Sequence, residues 1–418
     1  MKLALIYENI DPTRGGAETY VADLCRRLID RGCSVDLYAR SRRAEATPRE
    51  ARWIRVDAID RPRSLRVWSF ARNVEAKLRE HSYDCTVGFI NTWSHDVIVP
   101  QGGVARASVA CNARRFPPGI RRGLYRAGKA LNPKYWICRA IEAEQYAPER
   151  GARVVAVSAM TRDHIERYQG VERSRIDVVH NAIDLARIDV ADPAAVRSRF
   201  RRLHGLGEND LTALFTARNF ELKGLRPLLK ALALRLRRDP AARPITLLVC
   251  GGDRIAPFQK LIAQLNLQSM IKATGYVPEA RDAFWASDFF VQPTYYDPCS
   301  LVVLEALACG LPVITTSQNG ASELIVGGRE GFVLPHPDAH ALAADALDRL
   351  SDDALRAEMA ANARKLGREW TFDRHVDRLL EIFAEVAAAK RGATRSRSVF
   401  QVDRARQAHI ESSPAAIT

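Results

Sequence analysis

At 418 residues and 47% apolar composition, the chain exceeds the roughly 250–300 residues at which a single hydrophobic core stops growing, so two domains are expected. No apolar run reaches the length of a membrane span, residues 1–9 turn polar too early for a secretory signal, and the eight cysteines contain no C-x-x-C pair that would suggest zinc or redox chemistry. The expectation is a cytoplasmic protein with reduced thiols, and its net charge of +14 calls for an anionic partner: nucleic acid, a membrane surface or a phosphorylated substrate.

Residues 2–7 are a short apolar run, the pattern of a buried parallel strand. They lead through Gly15-Gly16 into residues 17–30, where Tyr20, Val21, Leu24 and Leu28 recur at helical spacing. Gly32 supplies the stop and 34–38 the next strand, completing a βαβ unit. Residues 82–90 and 151–158 are further strands beside helical sequence, so the first half reads as a doubly wound sheet. Residues 176–184 form a strand ending in a polar turn, and the charged, partly helical 185–209 connects the halves.

The alternation then restarts. Strands are expected at 212–216, 245–250, 271–274, 289–292 and 313–315, with helices at 224–238, 257–265 and 301–309. Helices follow at 338–350 and 353–369. Residues 372–389 form a final amphipathic helix striped by Val376, Leu379, Leu380 and Phe383. From Gly392 the sequence is rich in Arg, Ser and Ala without periodicity, and is expected to lack regular structure. The fold class is α/β: two Rossmann-like doubly wound domains whose strand carboxyl ends face one cleft.

Asp297 and Glu305 flank the start of the 301–309 helix, one in the preceding loop and one about 7 Å along the helix axis. The free N–H groups between them suit a pyrophosphate. A nucleotide-sugar would fit with Asp297 on the sugar hydroxyls, Ser300, Leu301 and Val302 on phosphate, and Glu305 on the ribose. On spacing alone, two carboxylates with no common task are an equal reading. Arg218 and Lys223 lie five apart in the loop after the first strand of the second half, where both can reach one diphosphate. Gly15 and Gly16 permit backbone approach to a ligand, although a tight turn explains them as well. His95 follows a strand in the first half, with Asp96 beside it to orient the ring; Gln101-Gly102-Gly103 is a second candidate nearby. No Asp-x-Asp triplet occurs, so no metal site and no cofactor are expected.

The run Tyr295-Tyr296-Asp297-Pro298-Cys299-Ser300-Leu301-Val302-Val303-Leu304-Glu305-Ala306 resembles the acidic-x7-Glu signature of the retaining glycosyltransferases of family 4, which have the GT-B fold. Asp297 stands where that family more often has Glu. The Arg218 to Gly224 segment resembles the family's donor-phosphate motif, and His180-Asn181-Ala182-Ile183-Asp184 its domain-boundary element. Residues 100–161 look most like the lipopolysaccharide core glucosyltransferases. The resemblance implies an acceptor-side domain over 1–182 joined by a returning helix at 372–390, a donor domain over 183–371, and a tail over 392–418. It implies hexose transfer, with retained configuration, from a UDP-linked donor to a glycolipid or saccharide acceptor. In that family Gly15-Gly16 would border the diphosphate, and the His95 region the acceptor.

A nicotinamide oxidoreductase would want G-x-G-x-x-G after the first strand, which is absent. A nucleotide-sugar epimerase or a phosphorylase of the same fold stays open. A nucleic-acid binder would explain the charge but leave the Asp297/Glu305 and Arg218/Lys223 pairs idle, so nucleic acid is not expected. Between Asp96 and Glu142 there is no acid, while nine Arg and Lys side chains run from Arg106 to Arg139 with aromatics between them. That stretch, 97–141, suits an anionic lipid surface and predicts peripheral attachment to the inner face of the cytoplasmic membrane.

Overall fold

The computed structural model describes residues 1–411. The first sheet holds β1 (Lys2–Ile6), β3 (Ser34–Ala39), β5 (Arg52–Arg55), β6 (Cys85–Gly88), β7 (Val97–Ile98), β8 (Arg153–Ala156) and β9 (Ile176–Val178), while β2 (Asn9–Ile10) and β4 (Ser41–Arg42) make a small separate ribbon. Its order is β5-β3-β1-β6-β7-β8-β9, with parallel pairing throughout. Leu3 and Leu5 enter one core, and Ala4 and Ile6 another. A strand buried on both faces has no polar side to show, which is why 2–7 reads as a continuous apolar run. Six helices accompany this sheet: α1 (Gly16–Asp30), α2 (Arg63–Leu78), α3 (Ala105–Asn112), α4 (Ile120–Ala130), α5 (Pro133–Tyr146) and α6 (Ala159–Gln169).

The second sheet is also parallel, in the order β12-β11-β10-β13-β14-β15. Its strands are β10 (Leu211–Thr216), β11 (Ile245–Cys250), β12 (Ile271–Gly275), β13 (Phe289–Gln292), β14 (Val313–Thr316) and β15 (Gly331–Leu334). The helices are α7 (Pro193–Leu203), α8 (Leu225–Arg238), α9 (Ala256–Gln264), α10 (Ala280–Ala286), α11 (Leu301–Cys309), α12 (His340–Arg349) and α13 (Asp353–Glu369). The charged connection is therefore only partly a linker, since its helix α7 packs on α10 of the second domain.

The chain ends in α14 (Phe372–Glu411), which crosses back to the first domain. Val376, Leu379, Ile382 and Phe383 are fully buried, each contributing about 1.5–3 kcal/mol by removal from water. The Tyr20 hydroxyl meets His375 Nε2 at 2.7 Å, and Lys390 pairs with Asp96 at 2.8 Å. The tail expected to lack regular structure is helical as far as Glu411, because no glycine or proline interrupts residues 393–411. Residues 412–418 lie outside the described residues.

Candidate active site

A cavity of about 470 Å³ opens between the domains, where carboxyl ends of both sheets meet. From the first domain it is lined by Thr13, Gly16, Gln101 and Asn181; from the second by Arg218, Lys223, Asp297 and the segment Ser300–Val302, among others.

The loop 217–224 is held rigidly before it presents its cations. Phe220 is buried in the second core, its N–H donates to Asp253 at 2.8 Å, and the Leu222 N–H donates to Asn219 Oδ1 at 2.9 Å. Gly224 has φ of +90°, and a Cβ there would stand 2.0 Å from the Pro293 carbonyl oxygen, so only glycine fits after Lys223. Lys223 Nζ forms an ion pair with Asp297. Arg218 is exposed and has no carboxylate partner among the described residues.

Asp297 is positioned by backbone on both sides: its N–H donates to Gln318 O and its carbonyl accepts from Gly320 N–H, each at 2.9 Å. The fully buried Asn319 accepts from the N–H groups of Ser300 and Ala321 at 3.2 and 3.1 Å, and donates to Thr315 Oγ1 at 3.1 Å. The Ser300 hydroxyl donates to Gln292 Oε1 at 3.1 Å. Ser300 therefore lines the cavity with its own N–H already used, while Leu301 and Val302 keep first-turn N–H groups that nothing among the described residues accepts. Asn319 and Gln292 escape a sequence reading. The turn signal Asn319-Gly320 was there, but the role comes from tertiary placement.

Gly15 and Gly16 allow the first domain to touch the second. A Cβ on Gly15 would lie 3.5 Å from Arg218 Nη1, and one on Gly16 would lie 3.2 Å from Leu301 Cδ1. Gln101 and Asn181 exchange amide hydrogen bonds at 2.9 and 3.0 Å, and Asn181 Nδ2 also donates to Cys299 O at 3.1 Å. Gln101, the lesser candidate in its region, is thus the one at the cavity.

Glu305 does not line the cavity. It is partly buried one turn further along α11, towards Asp23 of α1 and Arg187, which pair with each other at 3.2 Å. Burial pushes the Glu305 carboxyl up to about 7, with Arg187 opposing and Asp23 adding to the rise.

His95 is a correction. The chain after β6 doubles back, so His95 precedes β7 at the amino-terminal edge of the sheet, and it borders a separate cavity with Glu75 and Arg150. Its Nδ1 lies 3.0 Å from Thr92 Oγ1, the side chain is only 8% exposed, and burial pulls its pKa down to about 4. Asp96 does not orient it, but accepts from the Thr86 N–H and hydroxyl at 2.8 and 2.9 Å. Among the described residues no three His, Cys, Asp or Glu side chains gather to hold a metal ion.

Residues 14–187 match the family model described as Glycosyltransferase Family 4, and residues 196–366 that described as Glycosyl transferases group 1. A D-inositol 3-phosphate glycosyltransferase of Salinispora arenicola (strain CNS-205) is 31% identical over 283 residues, 65% of this chain and 62% of that protein. The chain spans about three fifths of the length of the first curated relatives it matches. Among solved structures, WaaG, a glycosyltransferase involved in lipopolysaccharide biosynthesis, superposes with a TM-score of 0.75 at 22% identity, over 91% of this chain and 99% of that one. HepE of Anabaena, in complex with UDP and glucose, gives 0.65 at 19% identity, over 91% and 98%. These likenesses show the GT-B fold, and the two adjoining matches make residues 14–187 a family 4 glycosyltransferase domain and residues 196–366 a group 1 glycosyl transferase domain.

Proposed function

We propose that the chain moves a hexose, with retained configuration, from a UDP-linked donor to a glycolipid or lipopolysaccharide-type acceptor. The observation that carries this reading is the convergence of Arg218, Lys223, Asp297 and the first turn of α11 on one cavity, opposite Gly16. Arg218 and the Leu301 and Val302 N–H groups receive the diphosphate. Asp297 holds the sugar hydroxyls. As the bond from the anomeric carbon to the phosphate oxygen breaks, charge grows on the leaving diphosphate. Lys223, exchanging Asp297 for phosphate, stabilises that charge more than it stabilises the bound donor. The acceptor hydroxyl adds on the face the diphosphate leaves, and gives its proton to a phosphate oxygen.

HepE binds UDP and glucose in its crystal, which supports a UDP-linked hexose here. The Salinispora relative is named for a phosphorylated acceptor, and WaaG for lipopolysaccharide biosynthesis. The lipid-linked reading is favoured by α4, none of whose side chains is buried. Ile120 is 82% exposed, Leu124 66% and the adjoining Leu131 83%, among the cations Arg121, Arg126 and Lys129. Such a helix lies in a membrane interface, apolar face down, with its cations on anionic headgroups. The attachment proposed is peripheral, on the cytoplasmic face. No helix among the described residues is long and apolar enough to cross a membrane.

A thermal-shift screen of nucleotide-sugars tests the donor half. A ligand at a hundred times its dissociation constant adds about 2.7 kcal/mol to stability, so one UDP-sugar should raise the melting temperature of the parent and not of Arg218→Gln. No response to any nucleotide-sugar would defeat the reading, and an epimer instead of a transfer product would favour a nucleotide-sugar epimerase.

A further inference from the structure

Helices α2 and α5 pack side by side, Val67 and Ala71 against Ile137, Cys138 and Ile141. They run parallel, because just past the end of α5 Arg150 reaches Glu75 near the end of α2 at 3.1 Å. Their amino ends therefore coincide, and bring Arg63 and Arg66 of α2 beside Lys134 of α5. This shared end is on the cleft side of the first domain. The helix α2 runs back from the carboxyl end of β5 to the start of β6, and Glu8, just beyond β1, meets Arg66 Nε at 2.8 Å. Five residues after Glu8, Thr13 already lines the donor cavity.

The charge at this end does not balance. Among the described residues Glu8 is the one carboxylate set among Arg66 and Lys134, and Arg40 approaches it at 3.9 Å as well. Arg40 is otherwise engaged, with Asn9 Oδ1 at 3.0 Å and Asp60 at 3.3 Å. Arg63 and Lys134 have no ion-pair partner among the described residues, although the Lys134 ammonium is half-buried. Burial first, and then Arg63, pulls the Lys134 ammonium below its ordinary pKa, with Cys138 and Glu8 opposing. The Glu8–Arg66 contact is itself unsaturated: Glu8 Oε1 and Arg66 Nε are buried atoms with no hydrogen bond. Burying cations against each other is costly unless an anion joins them. The α2 amino end adds to the demand, since its cap position, Pro62, has no side-chain acceptor for the first-turn N–H groups.

We infer that Arg63, Arg66 and Lys134 form an anion subsite that holds a phosphate group of the acceptor. The subsite rests on the transferase reading and deepens it: the acceptor hydroxyl is presented to the donor by a phosphate anchored at this end of α2 and α5. An arginine pair gives forked contacts to phosphate oxygens, and the lysine a point charge. The phosphate belongs either to a lipid headgroup or to a soluble phosphorylated saccharide. Residue 131, where the exposed apolar face of α4 ends, is only three residues before Lys134, so the subsite serves a headgroup at the interface and a soluble phosphate equally.

The test is isothermal titration of the full chain with inorganic phosphate, UDP being present in excess to occupy Arg218 and Lys223. One saturable site is expected. Lys134→Gln and Arg66→Gln should each weaken it by about tenfold or more, as loss of a charge-assisted contact does. Lys134→Arg should retain it, and Arg237→Gln, on the far side of the second domain, should match the parent. Phosphate affinity unchanged in Lys134→Gln, or no saturable site, would overturn the inference; UDP binding by each variant confirms that it is folded. Glycerol 3-phosphate in solution and phosphatidic acid in phosphatidylcholine vesicles then separate the sources, each read as a response that Lys134→Gln loses. Failure of both while inorganic phosphate still binds would overturn the acceptor assignment. The donor reading is scored separately by the UDP titration: a chain that binds phosphate through Lys134 but never UDP keeps the subsite and loses the donor reading.

Discussion

Lys223 and Asp297 neutralise one another at the mouth of the loop that carries the acidic-x7-Glu signature. In the proposed reaction a donor draws Lys223 onto its phosphates and releases Asp297 to accept from sugar hydroxyls, so one exchange sets both groups. Lys223→Ala should therefore lower turnover by about a hundredfold or more, the scale of losing one donor to a developing oxyanion, while the donor dissociation constant changes only a few-fold. Steady-state kinetics with direct donor titration check this, and near-parental turnover would contradict it. Glu305 gives a pH signature. Its folded pKa of about 7 stands above the ordinary 4.5, so the folded chain binds this proton more tightly than the unfolded one. The associated stability is complete below pH 4.5 and is lost as pH rises through 7. Glutamine never ionises, so Glu305→Gln should melt with the parent at pH 4 and progressively above it by pH 8. A difference that does not grow with pH would sink this. The placement of Arg218, Lys223 and Asp297 at the cavity was legible because their loops are local: a strand, a short polar turn and a helix start fix where they lie. His95 was misread because the loop after β6 turns back on itself, and no local pattern reports that.

The strands that escaped the sequence are the short and the peripheral. The edge strand β5 reads Arg-Trp-Ile-Arg, and β7 has only two residues. Neither offers the apolar run that announces a central strand. The long buried strands β1, β10 and β11 are legible for the opposite reason. The helix α4 shows a third case: its basic, acid-free composition was visible, but only the structure shows that Ile120 and Leu124 are left uncovered. Sedimentation with liposomes is the check. Binding should require anionic lipid, weaken as salt screens charges beyond about 8–10 Å, and fall strongly in Leu124→Glu, which removes the inserted face. Indifference to anionic liposomes at low salt would end the membrane proposal and leave the transferase proposal standing.

At the scale of the molecule, the two domains meet along the loop that carries Asp297. The Tyr296 hydroxyl accepts from the Val104 N–H at 3.0 Å, and Ser158 Oγ donates to Pro298 O at 2.7 Å. Glu323 of the second domain accepts from the N–H groups of Ala159 and Met160, which open α6 of the first, at 2.8 and 2.6 Å. Asp297, the carboxylate proposed to face the sugar, thus lies on a loop that both domains hold. The proposed reaction is a single displacement, with one carboxylate at the sugar and cations at the leaving group, in which the incoming hydroxyl adds on the face that the diphosphate leaves. The most direct measurement is proton NMR of the first sugar formed from an α-linked UDP-hexose, followed from the earliest minutes, with water as the acceptor if no other is supplied. The α-anomer is expected to appear first and to relax to the equilibrium mixture afterwards, and Lys223→Ala should slow its formation by about a hundredfold or more. A β-anomer appearing first, or no turnover of any nucleotide-sugar, would contradict it.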